Sequence, residues 1–297
     1  MGGAMAATCD VGLSGGRIRY RDSGGDGPPV VFIHGVFVDS AVWRKLESPL
    51  TAVGLRFIAL DLPLGAHTVA MNKGANMSPM GVAALIGEFL EALDLRDVTL
   101  VATDTGGAIV QLLLADGCDR VGRVVLTPCD SFDNFLPLSI RLLQYAARVP
   151  GVMAIGVQPL RSRMARRLVY GTLAKHGVPD DITAAWIRPL VTSRGVRRDI
   201  ARFLATIDHR DTLAAAEKLR MFDKPVLLVW PRRAPYFPFA HAERWVQILP
   251  DARLVEVTDA YTFVSEDQPD TLARELASFV AATPAATGTR SKKGTRR

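Results

Sequence analysis

Short, nearly uninterrupted apolar runs recur along this chain with helical stretches between them: VVFI at 30–33, RFIAL at 56–60, VTLVA at 98–102, RVVL at 123–126 and PVLLVW at 225–230. A strand that is apolar on both sides is buried on both faces, and strands alternating with helices imply a mostly parallel sheet covered by helices. The remaining segments fit that frame. RIRYR at 17–21, the turn Gly24 to Pro29 and the run from Val30 read as a hairpin entering the first buried strand. Ser40 to Thr51 has helical spacing, and Ser78 precedes a helix over 80–93 with Pro79 at its first position. A further helix is expected over 108–115. From 131 to 222 only helical patterns occur, among them 138–148, 164–173 and 200–207. After the strand at 225–230 come a helix near 240–249, a strand at 253–257 and a last helix at 271–282. The reading is therefore an α/β core built from 1–130 and 223–282, with a helical insertion at 131–222.

Composition removes several classes of function. A chain of 297 residues, 48% hydrophobic and 22% charged, can bury a large core unaided. The net charge of +6 suggests nucleic acid until it is located. All but one unit comes from Arg290, Lys292, Lys293, Arg296 and Arg297, in a stretch 283–297 that has no acid. That Thr-, Ala- and Gly-rich stretch reads as a disordered basic tail, and no nucleic-acid partner is expected. The apolar stretch 142–160 is interrupted by Gln144, Arg148, Pro150 and Gln158, so no membrane span is expected. Met1 to Ala7 lacks a basic start and a sustained apolar run, which predicts no signal peptide. Three cysteines, Cys9, Cys118 and Cys129, are odd in number and lack metal-ligand spacing; a reducing, cytoplasmic location with no metal or organic cofactor is the expectation.

The segment VTLVATDTGG at 98–107 carries the chemistry. A buried strand runs without a gap into an acid between small neighbours, and glycines open the following helix. Such a turn lifts the central side chain clear of the sheet and turns the next N–H toward a developing oxyanion. An aspartate before a helix is also an ordinary N-cap. A cap, however, does not need Ala102, Gly106 and Gly107 packed around it, so Asp104 is read as a site residue. Asp61 and Asp259 are read as turn residues.

VVFIHG at 30–35, the elbow at 102–107, the helical insertion and TFVSEDQP at 262–269 together resemble the α/β-hydrolase superfamily, in the branch with an aspartate nucleophile that contains haloalkane dehalogenases and epoxide hydrolases. The likeness spans about 17–282. It implies that Asp104 attacks carbon to form an alkyl ester, that the backbone N–H groups of Val36 and Thr105 form an oxyanion hole, and that 131–222 caps the pocket. It also implies a histidine base and a second acid. The chain has Thr262-Phe263 where the family has His-Phe, and Ala234 where the acid often stands after PVLLVW. In some members the acid follows the preceding core strand, which here is Asp130 in LTPCDSFDN.

A general base contributes about 10²–10⁴-fold, so its loss would cripple hydrolysis of the ester. Val36 and Thr105 also stand where dehalogenases carry the Asn and Trp that hold the halide, which points away from dehalogenation. Tyr145 and Tyr170 stand in the cap as donors of the kind epoxide hydrolases use. Among the histidines, His67 in DLPLGAH lies past a strand end and is the candidate replacement base; His34 reads as structural, and His176, His209 and His241 as surface residues. Tyr261 reads as a packed aromatic beside the vacant histidine position. Three functions fit: a hydrolase acting on a small, largely apolar substrate through Asp104; a lyase, isomerase or cyclase using Asp104 as general base; and a ligand-binding protein without catalysis.

Overall fold

A computed structural model describes residues 6–137, 140–149 and 151–283, so the basic tail read at 283–297 lies outside the described residues except for Thr283. Eight strands form one sheet: β1 (Ala7–Leu13), β2 (Gly16–Asp22), β3 (Pro29–Ile33), β4 (Arg56–Asp61), β5 (Val98–Asp104), β6 (Val121–Cys129), β7 (Val226–Pro231) and β8 (Ala252–Val257). Their spatial order is β1-β2-β4-β3-β5-β6-β7-β8. Strands β3 to β8 are parallel, and β1 and β2 add an antiparallel edge.

That edge corrects the expected hairpin. RIRYR pairs with Ala7–Leu13 on one side and with β4 on the other, and it does not pair with β3. The first strand escaped the sequence reading because it is an edge: most of it is exposed or half-buried, so its side chains carry little apolar signal. The central strands were legible for the opposite reason. Every residue of β5 is buried, which requires cover on both faces of the sheet.

The helices of the core are α1 (Arg44–Ala52), α2 (Pro79–Ala92) and α3 (Thr105–Asp116), followed near the end of the chain by α10 (Phe239–Ile248), α11 (Val264–Asp267) and α12 (Pro269–Ala282). Ser78 caps α2 by accepting from the Gly81 N–H at 3.1 Å. Between β6 and β7 lie α4 (Arg141–Ala147), α5 (Val152–Gly156), α6 (Arg163–Tyr170), α7 (Asp180–Thr192), α8 (Arg194–Ala205) and α9 (His209–Leu219). No described helix is long and apolar enough to cross a membrane. The three cysteines are free, and Cys129 is buried.

The inserted helices are seated on the core through aromatic contacts. Trp186 of α7 is fully buried, packs against Tyr170 and Phe263, and donates from Nε1 to Asp39 at 2.7 Å. Burying one large apolar side chain contributes about 1.5–3 kcal/mol, so this residue alone is a substantial part of the attachment. It holds the insertion over the carboxyl ends of β3 and β5, where open α/β sheets bind their ligands.

Candidate active site

Asp104 ends β5 in a left-handed conformation, with φ 53° and ψ −140°. A non-glycine residue there carries about 1–3 kcal/mol of strain, which the surrounding packing must hold in place. Its carboxylate makes no capping bond to α3, so helix capping does not account for it. The glycines around it are required by close approach. A Cβ on Gly35 would lie 2.1 Å from Asp104 Oδ2, one on Gly106 would lie 2.5 Å from the His34 carbonyl oxygen, and one on Gly107 would lie 2.3 Å from Cys129 Cβ.

Asp104 lies at an apolar cavity of about 320 Å³ formed between the core and the inserted helices. Val36, Phe37 and Phe237 line it from the core, and Leu143, Met153 and Leu173 from the insertion. Among the described residues, Asp104 is the one charged side chain in the lining, and no histidine belongs to it. Burial pushes its carboxyl up to about 7, with the Thr105 N–H pulling the other way. The Val36 N–H has no backbone acceptor among the described residues, and Thr105, as the first residue of α3, has no intrahelical acceptor. Val36 and Asp104 border the same cavity, and the Thr105 N–H faces the Asp104 carboxyl.

Asp130 is fully buried just beyond β6. Its Oδ2 accepts from Thr105 Oγ1 at 3.0 Å, its carbonyl accepts from Gln111 Nε2 at 2.8 Å, and its Oδ1 has no partner among the described residues. Burial, reinforced by the nearby Asp104 charge, raises its carboxyl well above the usual range. Two carboxyls in one poorly solvated neighbourhood resist ionising together.

The structure does not bring His67 to this cavity. Its Nδ1 accepts from the Gly65 N–H and its Nε2 meets Asp199 of α8, both at 3.3 Å, so both ring nitrogens are occupied. The ring borders a separate crevice beside Arg17, Asp61 and Met71. The expectation that it replaces the missing base is therefore corrected: it ties the loop after β4 to the insertion. His34 is also engaged on both sides, donating from Nδ1 to the Gly35 carbonyl at 2.7 Å and accepting the Leu62 N–H on Nε2 at 2.8 Å. Burial lowers it to about 4, which keeps it neutral. His176 pairs with Asp259 at 2.9 Å, whereas His241, read as a surface residue, is half-buried against Phe132.

Tyr145 is a second correction: it is exposed, with Arg148 over its ring, and does not line the cavity. Tyr170 does line it, but its hydroxyl donates to the Phe37 carbonyl at 2.7 Å. Tyr236, which sequence reasoning missed, also lines the cavity and bonds Thr172 Oγ1 at 2.9 Å. Its place in the loop after β7, at the carboxyl edge of the sheet, was the signal available. Thr262 is fully buried, its carbonyl accepts from Thr103 Oγ1 at 3.4 Å, and its own Oγ1 has no partner. The position expected to hold a histidine is thus adjacent to the strand end that carries Asp104. Ala234 is buried and carries no acid.

Comparison with known proteins agrees with this fold. A family model described as the alpha/beta hydrolase fold matches residues 28–269. Haloalkane dehalogenase 2 of Mycobacterium tuberculosis is 28% identical over 270 residues, covering 89% of this chain and 91% of that protein. The haloalkane dehalogenase of Mycolicibacterium paratuberculosis is 27% identical over 282 residues, covering 89% of this chain and 87% of its own length. Among solved structures, the haloalkane dehalogenase DatA of Agrobacterium tumefaciens superimposes with a TM-score of 0.76 at 22% identity, covering 94% of this chain and 98% of that one.

Proposed function

Because the chain belongs to the alpha/beta hydrolase fold family, we propose that it is a haloalkane dehalogenase-like hydrolase whose Asp104 attacks a small, largely apolar organic substrate held under a cap formed by 131–222. The observation that carries this reading is that, among the described residues, Asp104 is the single charged side chain in an otherwise apolar and neutral cavity. A carboxylate there is poorly solvated, and an electrophilic carbon is the partner that removes its charge. Attack forms a C–O bond to Asp104 while the leaving group departs with the bonding pair, giving an alkyl ester. Water attack on that ester places negative charge on the former carboxylate oxygen, which the N–H groups of Val36 and Thr105 receive.

Water must also lose a proton in that second step. With His67 held by Asp199 and Thr262 in the place of an imidazole, the ester forms faster than it is cleaved. Such a protein captures its substrate and releases it slowly, at a cost of about 10²–10⁴-fold in turnover.

One observation favours a second reading. A carboxyl raised to about 7 is half-protonated near neutral pH, the condition in which a general base works best, so Asp104 could instead abstract a proton in a lyase or isomerase reaction. Mass spectrometry of the intact protein after exposure to alkyl halides, epoxides and esters separates the two. An adduct on Asp104, absent from Asp104→Asn, supports attack on carbon; turnover of a substrate with no adduct supports proton abstraction; neither result supports ligand binding alone.

A further inference from the structure

Eight of the twelve large apolar side chains that stand exposed among the described residues fall within 142–169, on or beside the short helices α4, α5 and α6. Single exposed apolar residues need no explanation, but such a concentration marks a contact surface. Leu142, Ile155, Met164 and Leu168 are each 75–79% exposed. The charge of the same segment is one-sided: residues 134–179 contain six arginines and one lysine and no acid. We propose that this outer surface of the insertion docks on a bilayer containing anionic lipid, lying in its interface and not across it.

The two chemistries share the same helix faces. On α4, Leu142 and Tyr145 are one turn apart, and Arg148 lies over the Tyr145 ring. On α6, Met164 and Leu168 are one turn apart with Arg167 between them. Arg163 and Arg166 share Asp180, and Lys175 meets Asp259. Arg141, Arg148, Arg161 and Arg167 have no carboxylate partner among the described residues; Arg141 and Arg148 reach only the carbonyls of Asp133 and Ala205. Apolar side chains interleaved with unpaired arginines suit the boundary between lipid headgroups and acyl chains, where an arginine stem lies along apolar surface and its guanidinium stays among phosphates. The cavity mouth supports the same orientation. Val152, Gly156 and Val169 line the Asp104 cavity and are also exposed, so the cavity meets the surface among these helices. An apolar substrate would then pass from the bilayer to Asp104 without crossing water, a consequence that rests on the proposed function, whereas the docking does not. A second copy of the chain fits less well, because a two-fold contact sets this surface against itself and opposes its unpaired arginines.

Flotation of the full chain with vesicles of equal parts phosphatidylcholine and phosphatidylglycerol, and with phosphatidylcholine alone, tests the surface. Binding to the mixed vesicles is expected, with much weaker binding to phosphatidylcholine. Arg161→Gln combined with Arg167→Gln should weaken it about 25-fold, since each arginine near an anionic membrane contributes about fivefold. The basic stretch 283–297 also attracts anionic vesicles by charge, so the deciding variant is Ile155→Ser combined with Leu168→Ser. It leaves every charge in place, and it should weaken binding by about tenfold or more. All four side chains are exposed, so both variants should unfold at the native temperature. Asp104→Asn should float as the native protein does, which separates failure of the docking from failure of the chemistry. Absence of flotation, or flotation unchanged in the Ile155 and Leu168 variant, overturns the proposal. A native dimer that this variant disperses in light scattering, with no flotation, overturns it as well and assigns the surface to a second copy.

Discussion

Thr105 Oγ1 donates to Asp130 Oδ2 across 3.0 Å, so the acid that follows β6 is held by the residue immediately behind Asp104. The same carboxyl leaves Oδ1 without a partner, and Thr262, on the loop beside Thr103, leaves its hydroxyl without one as well. An acid thus stands next to Asp104, and under the proposed function it is the group that would orient an imidazole placed at residue 262.

This arrangement predicts that Thr262→His gains turnover without any change at Ala234. With Asp130 as its acid, the new imidazole should hydrolyse a preformed Asp104 ester up to about 10²–10⁴-fold faster. The larger ring should cost stability, about 1–3 kcal/mol, because Thr262 is fully buried. Decay of the adduct followed by intact mass gives the answer; an unchanged lifetime in a folded variant would show that the loop does not aim residue 262 at the ester.

Stability should depend on pH through Asp104. Burial raises its folded-state carboxyl to about 7, above its unfolded value, so the folded protein binds the proton more tightly than the unfolded chain. Its stabilising effect is present below about pH 4 and is lost as pH rises toward 7, by up to about 4 kcal/mol. Asp104→Asn should flatten that slope, both by removing the Asp104 carboxyl and by removing the charge that helps raise Asp130. Urea unfolding at pH 5 and pH 8 measures the difference, and identical slopes in the two proteins would contradict it. Alkylation of Asp104 should rise over the same interval as the carboxylate forms.

Gly35→Ala should move the nucleophile, because its Cβ would lie 2.1 Å from Asp104 Oδ2. A loss of about 1–3 kcal/mol is expected, together with most of the adduct formation. Gly106→Ala meets the His34 backbone carbonyl at 2.5 Å and has less room to relax, so it should be the more destabilising of the two. Thermal unfolding of both variants alongside native protein checks that order.

His67→Ala should loosen the insertion rather than abolish the chemistry. It removes one partner of Asp199, whose carboxyl also accepts from the Met71 N–H at 2.8 Å and from Arg198 at 2.6 Å, and should cost about 1–3 kcal/mol. Adduct formation at Asp104 is expected to persist at the native rate in folded protein. Loss of the adduct with stability unchanged would restore His67 as a participant in the reaction.

The buried strands, the insertion and the elbow were legible because each leaves a local signature. Doubly buried strands must be continuously apolar, and a crowded turn admits only small neighbours, which Gly106 and Gly107 supply. The β1 edge strand left no such signature, since one of its edges pairs with no other strand and its side chains are exposed or half-buried. The resemblance proposes oxyanion donors at Val36 and Thr105 for a related reason, because backbone N–H groups follow from the turn and not from the side chain.

What tertiary structure decided is which polar groups meet. Proximity in three dimensions is set by packing between segments far apart in the chain, and no local pattern records it. Thus His67, only a few residues beyond a strand end, is claimed by Asp199, 132 residues away, and not by the cavity. Tyr145 and Tyr170 looked alike in sequence, yet one faces solvent and the other lines the cavity with its hydroxyl held by Phe37. The sequence alone determined that an aspartate would be raised on a strained turn at the carboxyl edge of a buried sheet. Only the folded chain determined that this aspartate would stand, among the described residues, as the one charge in an apolar cavity, because desolvation depends on everything packed around a group and not on its neighbours in the chain.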